Sequence, residues 1–167
     1  AGCLLLESVE NAKRRGATIY GYIHKPSLGS DGVVGNVVSP SDRGITKTMT
    51  EVLSHIDKEQ ISFVNAHATS TPAGDDIEYY AIEKLLPETP VMSFKSKIGH
   101  TLGASSIIEI IYTLNSLNSK IIPPSHNIVR TNLNNVAQNA SSSDKKYALK
   151  NSLAFGGKCG SVIIESA

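Results

Sequence analysis

Two short segments concentrate the side chains capable of chemistry. One is Asn65-Ala66-His67-Ala68-Thr69-Ser70-Thr71, and the other is Lys95-Ser96-Lys97-Ile98-Gly99-His100. A neutral histidine donates one N–H and can polarise a carbonyl oxygen without surrendering its proton. His67 stands between two alanines and ahead of three hydroxyl residues. Small neighbours let a ligand approach the backbone, and hydroxyls bind a polar ligand without adding charge; a structural histidine is the alternative. His100 precedes a helix start, with Thr101 or Ser105 available as caps. The positive end of a helix disfavours an imidazolium, so this ring should stay neutral whether it caps the helix or faces a ligand. Lys95 is either a solvated strand end or a fixed charge beside His100. Glu109 interrupts the apolar run Ile107-Ile108-Glu109-Ile110-Ile111. If buried it needs Lys95, a water or a cation as partner; otherwise it faces solvent. Phe155-Gly156-Gly157 reads as a tight turn in which glycines permit positive φ. The Phe155 amide there either lines an oxyanion hole or belongs to a plain hairpin.

The surrounding pattern supplies elements to carry these groups. A buried strand is expected over 2–6. A short helix is expected over 8–15, capped by Ser8 and stopped by Gly16, and then a strand over 18–23. Residues 26–40 hold three glycines and little periodicity, which predicts a loop. Ile45, Met49, Val52, Leu53 and Ile56 recur at helical spacing behind Asp42 as N-cap. Strands are expected over 61–65 and 91–94, each running into one of the two motifs. Ile77, Ala81 and Leu85 mark a helix between them, with Pro87 and Pro90 at its exit. Ile107, Ile110, Ile111, Leu114 and Leu117 give the clearest amphipathic helix, broken off by Pro123-Pro124. Residues 127–146 are polar and read as a surface excursion. Two strands over 148–154 and 161–165 close the chain as an antiparallel pair. Polar side chains at strand ends and ahead of helices are where α/β proteins place their sites.

Composition narrows the function classes. The chain of 167 residues is long enough for one domain with a real core, and its 40% hydrophobic and 19% charged content is that of a globular protein. No apolar run approaches the roughly 20 residues that span a bilayer, and no basic leader precedes the apolar start. A net charge of +1 and few aromatics argue against a nucleic-acid platform. Cys3 and Cys159 form no CxxC or zinc pattern and read as buried free thiols in a reducing, cytoplasmic setting. There is no GxGxxG, Walker or G-x-S-x-G motif. His24, His55 and His126 belong to no constellation and read as structural or surface, and Lys13-Arg14-Arg15 as a solvated helix end.

AGCLLLESVENAKRRGA, NAHATSTPAGD, SFKSKIGHTLGAS, IPPSHNI and NSLAFGGKCGSVIIES appear in this order. Together they resemble the C-terminal half of an elongating β-ketoacyl-acyl-carrier-protein synthase, a condensing enzyme with the thiolase fold. The resemblance implies an α/β unit, a five-stranded mixed sheet with helices packed on it, over 18–167. Residues 1–17 would be the end of the N-terminal half. It implies a decarboxylative Claisen condensation of malonyl carrier protein with an acyl thioester. His67 and His100 match the donors that stabilise the enolate, and Lys95 the lysine that supports them. Glu109 matches the nearby acidic residue, and Phe155 the gating aromatic whose amide helps form the acylation oxyanion hole. Thr69 and Thr71 match the hydroxyls that hold the pantetheine arm.

Departures accompany the match. Ala68 and Ala154 stand where the family usually has glycine, and Lys158-Cys159 replace its usual Thr-Asn. The family's nucleophilic cysteine belongs to the half upstream of residue 1. Neither cysteine here takes its place, so this chain alone is expected to be inactive in condensation. The expected partners are acyl carrier protein, the missing half in the same or another chain, and a second copy in the full enzyme. No cofactor, metal, nucleic acid or membrane is implied. Two alternatives are a polyketide-type ketosynthase fragment and a non-catalytic module that pairs with a separate N-terminal half.

Overall fold

A computed structural model describes residues 1–32, 41–128 and 133–167. Its centre is one mixed sheet. Strand β3 (Ile61–Asn65) pairs in parallel with β4 (Val91–Met92) on one side and with β7 (Tyr147–Ala154) on the other. The long final strand β8 (Lys158–Ser166) runs antiparallel to β7 from Tyr147↔Glu165 to Ala154↔Lys158. On the far edge of β8 lie β1 (Gly21–Ile23), opposite residues 164–166, and β2 (Ser27–Ser30), opposite residues 158–161. Among the described residues the sheet therefore has six strands in five positions. Pro26, which has no N–H to donate, stands in the break between β1 and β2.

Helices cover both faces. α2 (Arg43–Leu53) and α3 (Pro72–Leu85) pack on one side, and α5 (Ser105–Asn118) on the other. The period of two along each strand divides the core between these layers. Val64, Leu149 and Ile163 join Ile45, Met49 and Ile82 under α2 and α3. Their sequence neighbours Phe63, Ala148 and Ile164 face the other way with Phe94 and Leu117. Both β3–β4 and β3–β7 are parallel, so all three strands end at the same edge. That edge receives the two histidine motifs and the Phe155 turn.

Several expectations need correction. Residues 2–6 form no strand, because no described strand takes their hydrogen bonds. They run extended along α5, so close that a side chain at Gly2 would collide with Ile107. Leu5 and Leu6 are consequently 82% and 69% exposed, and Cys3 is exposed rather than buried. Ser8 does cap α1 (Val9–Arg14), its Oγ accepting from the Asn11 amide. The strand expected over 18–23 is only β1. The loop expected over 26–40 contains β2, and its residues 33–40 lie outside the described residues. Asp42 occupies the N-cap position of α2 but makes no capping bond to its amides, and Ile56 falls beyond its end. The strand expected over 91–94 is shorter, since Phe94 already enters α4 (Lys95–Ile98). The excursion over 127–146 is partly tied down. Val136 bridges to Val91, and β6 (Ser141–Ser142) pairs with β5 (Ile121–Ile122), while residues 129–132 lie outside the described residues.

α5 departs from its hydrophobic pattern most informatively. Its buried positions are Ser105, Glu109, Thr113 and Leu117, a row spaced by four; Ile107, Ile108, Ile110, Ile111 and Leu114 are only half-buried. The isoleucine-rich face of this helix and the face pressed deepest are therefore not the same. The row pressed deepest is the one that reaches the charged groups described next.

Candidate active site

His67 is placed by two carboxylates of α3. Just beyond β3, the amides of His67 and Ala68 both donate to the buried Glu78 carboxylate, at 2.8 and 2.9 Å. The amide of Ser70 donates to Asp75 at 3.1 Å. Burial, and then the Glu78 charge, pushes the Asp75 carboxyl above its ordinary value. This anchoring holds Ala68 at φ 32° and Ser70 at φ 66°, a backbone region that favours glycine. The side chain of His67 is buried at 6% exposure, and its Nδ1 finds no partner among the described residues. Burial lowers its pKa to about 3, helped by the charges of Lys95 and Lys150 and by His100. The ring is therefore neutral at physiological pH.

His100 is placed by the turn that follows α4. The Leu102 amide donates to its Nδ1 at 3.1 Å, and Ser105 Oγ lies 3.0 Å from the same nitrogen. A nitrogen that accepts an N–H carries no proton, so the neutral ring has its hydrogen on Nε2. The Ser105 hydroxyl is a hub here. It accepts from the Thr101 amide at 3.1 Å and lies 3.2 Å from Thr101 Oγ1. Neither Thr101 nor Ser105 caps α5, whose N-cap is Ala104. Local hydrogen bonds, rather than a helix end, thus orient the ring. The two imidazoles meet edge to face, with centroids 5.7 Å apart and planes at 90°.

Behind them lies a buried cluster of three charges. Lys95 begins α4, and its Nζ meets Glu109 Oε1 at 2.6 Å; Lys150 of β7 meets Glu109 Oε2, also at 2.6 Å. Glu109 is fully buried, which decides between the solvent-facing and paired alternatives. Lys95 is not a solvated strand end. Burial pushes the Lys150 ammonium below its ordinary value, partly offset by Glu109.

His100, Lys95, Thr69 and Ala68 line a cavity of about 700 Å3 that runs between α3 and a second wall formed by residues 125–128, Leu133 and Val136. His67 is not on its wall. Thr71 is exposed, with its Oγ1 3.4 Å from Thr69 Oγ1. Phe155 is 65% exposed at the tip between β7 and β8, and it does not line the cavity. Gly156 and Gly157 take φ 77° and 67° there, as the tight turn requires. Cys159 is buried in the α2–α3 core layer, and burial pushes its thiol up, away from the reactive thiolate. Among the described residues no group of three or more His, Cys, Asp or Glu is placed to hold a metal ion. None of the described helices is long and apolar enough to cross a membrane.

Residues 20–129 match the model of the β-ketoacyl synthase C-terminal domain. The chain belongs to the β-ketoacyl synthase family. The chloroplastic 3-oxoacyl-[acyl-carrier-protein] synthase II of Arabidopsis thaliana is 40% identical over 98% of this chain and 32% of its own length. The 3-oxoacyl-[acyl-carrier-protein] synthase 2 of Vibrio harveyi is 36% identical over 99% of this chain and 42% of its own. Among solved structures, a β-ketoacyl synthase from Burkholderia phymatum superposes with a TM-score of 0.87 at 32% identity, covering 96% of this chain and 41% of that one. The chain thus spans less than half the length of these relatives. Its α/β arrangement is that of the C-terminal half of the thiolase-like fold.

Three further residues of this ketosynthase domain escape sequence reading. Lys150 sits mid-strand at 2% exposure, and its signal was a lysine flanked by Ala148-Leu149 and Leu153 in a buried run. Glu78 lies six residues into α3, where a glutamate is unremarkable until its carboxylate is seen to fold back on the His67 loop. His126 is exposed, as expected of a surface residue, and it also lines the cavity, its amide donating to Ser96 Oγ at 3.0 Å. His24, by contrast, is structural: it pairs with Glu165 at 2.8 Å and packs on Tyr147.

Proposed function

We propose that this chain supplies the decarboxylation half of a 3-oxoacyl-[acyl-carrier-protein] synthase that elongates fatty acids. The observation that carries the reading is the pair of imidazoles in edge contact, with the His67 ring kept neutral by burial and buried Lys95 at the rim of a cavity. When a malonyl thioester loses CO₂, the electrons of the breaking C–C bond pass into an enolate whose charge gathers on the thioester oxygen. His100 offers Nε2–H to that oxygen, and His67 offers the one N–H of its neutral ring. Lys95 contributes a fixed positive field at no cost in proton transfer. The enolate carbon then attacks an acyl thioester, expelling the thiolate that carried the acyl group. Thr69 and Thr71 hold the pantetheine arm, and the Phe155 amide assists acyl transfer. No cofactor is needed, because the substrates arrive on acyl carrier protein.

The acyl-accepting thiol comes from residues outside these 167; neither exposed Cys3 nor core-buried Cys159 lines the cavity. Residues 1–17 end that other half, and residues 18–167 form the condensing domain's C-terminal unit. Half-buried Ile107, Ile108 and Ile111, with exposed Leu5 and Leu6, support a second body packing over α5. The completed enzyme works as a homodimer in the cytoplasm. The test is reconstitution with an N-terminal half bearing the cysteine. Condensation of acyl and malonyl carrier substrates should appear only with both halves and fall by about 100-fold or more in His67→Ala and His100→Ala. Full turnover in either variant would refute the reading.

A further inference from the structure

Lys150 has no part in the chemistry just described, yet it occupies one of the costliest positions in the chain. It stands mid-strand in β7, opposite Asn65 of β3, and is 2% exposed. Its ammonium reaches Glu109 Oε2 and the backbone carbonyl of Asn151. The other carboxylate oxygen of Glu109 belongs to Lys95. The Glu109 backbone carbonyl in turn accepts from Thr113 Oγ1 at 2.7 Å and from Asn65 Nδ2 at 3.4 Å. One carboxylate is therefore clamped between a strand and a helix start, each of which contributes one cation.

A carboxylate held by a single ammonium can still turn about its last bond and carry that ammonium with it. An ion pair at each oxygen restrains that turn. One anion also cannot neutralise two cations, so the cluster presents surplus positive charge at the back of the histidine pair. We propose that Lys150 is a positioning residue of the condensing site, fixing Glu109 so that Lys95 stays in place and adding a second cation that favours an anion at the imidazoles. This inference rests on the function proposed above.

His67 reports on the arrangement. It is faced by Lys95 from α4, Lys150 from β7, His100 from the following turn and Glu78 from α3, with Glu109 of α5 between the two lysines. The experiment compares Lys150→Met, which removes the charge at similar volume, with Lys150→Arg, which keeps it. The imidazole of His67 is followed by 15N NMR in the 167-residue chain. Lys150→Met should raise the protonated fraction of His67 at about pH 4 roughly fivefold, a midpoint shift of about one unit, and Lys150→Arg should hold it within about 0.3 unit. In the reconstituted enzyme, Lys150→Met should lower kcat about tenfold with KM within about twofold. An unchanged His67 midpoint in a folded Lys150→Met protein overturns the proposal. If Lys150→Met does not fold, Lys150→Arg decides: His67 displaced in a folded arginine variant, or failure of both variants to fold, overturns it too. The NMR readout needs no turnover. Its failure leaves the condensing function standing, and a missing condensing activity leaves the NMR test intact.

Discussion

Glu109→Gln is the substitution that weighs the buried cluster most directly. Gln has nearly the shape of Glu, so packing is preserved and only the negative charge leaves. The ammonium-bearing side chains of Lys95 and Lys150 are 5% and 2% exposed, which leaves water unable to replace the lost partner. Removing one member of a buried pair costs about 3–5 kcal/mol, because an uncompensated charge remains. Here two remain. Each ammonium sits 2.6 Å from its own carboxylate oxygen. The two are therefore no more than roughly 7 Å apart, and at an effective dielectric of about 20 they would repel by about 2 kcal/mol. A lysine can escape by shedding its proton, which caps the total near the upper end of that range. Against an overall stability of about 5–15 kcal/mol, the melting temperature should fall by roughly 10 °C or more. Urea denaturation followed by circular dichroism measures the loss. Glu109→Gln/Lys150→Met should recover part of it, since only one unpaired ammonium remains. The loss should also shrink as pH rises. Lys150 is already below its ordinary value through burial. In the window between that lowered value and the ordinary 10.4 or so, the unfolded chain binds more protons, so stability climbs with pH. A cost under about 1 kcal/mol for Glu109→Gln, or a double variant weaker than the single, would refute the account.

Two further outcomes follow from the histidine loop. His67 titrates near 3 when folded against 6.5 as its ordinary value, so the stability it contributes is complete above 6.5 and is lost as pH falls towards 3. At about 1.4 kcal/mol per unit the whole span amounts to a few kcal/mol. The urea midpoint should slope downward from about pH 6 to 5, before carboxylates titrate, and His67→Asn should flatten that slope; an equal slope in both proteins would sink the assignment. Ala68, at φ 32°, should accept glycine with a change between zero and about 1 kcal/mol of added stability, whereas Ala68→Val should lose about 1–2 kcal/mol. Thermal denaturation of the two variants tests the order, and valine outperforming glycine would show that the loop is not strained there.

Much of the site was legible because its signals are local. β3 appears over the residues expected of it, since an apolar run ahead of a polar motif marks a strand end. Ser8 and Gly16 bracket α1, the first through its hydroxyl and the second because it lacks a side chain and takes φ 67°. Lys95 and Glu109 were joined as one alternative from the mere presence of an acid inside an isoleucine run. The illegible parts are long-range. Leu5 and Leu6 look like strand residues, but a strand exists only where another lends its hydrogen bonds. The stripe of α5 misled because helix periodicity reports which face is apolar, not which face is pressed deepest.

By itself the sequence determined the residue types, their order and the short elements that carry them, because propensity, capping and turn chemistry act over a few positions. Only the tertiary structure decided that Lys150 shares Glu109 with Lys95, that Glu78 folds back onto the His67 loop, and that the two imidazoles touch. Those contacts join residues up to 41 positions apart along the chain, from Glu109 to Lys150. Charge pairing of that kind depends on the parallel register of β3 and β7 and on the burial around them, which no local pattern encodes.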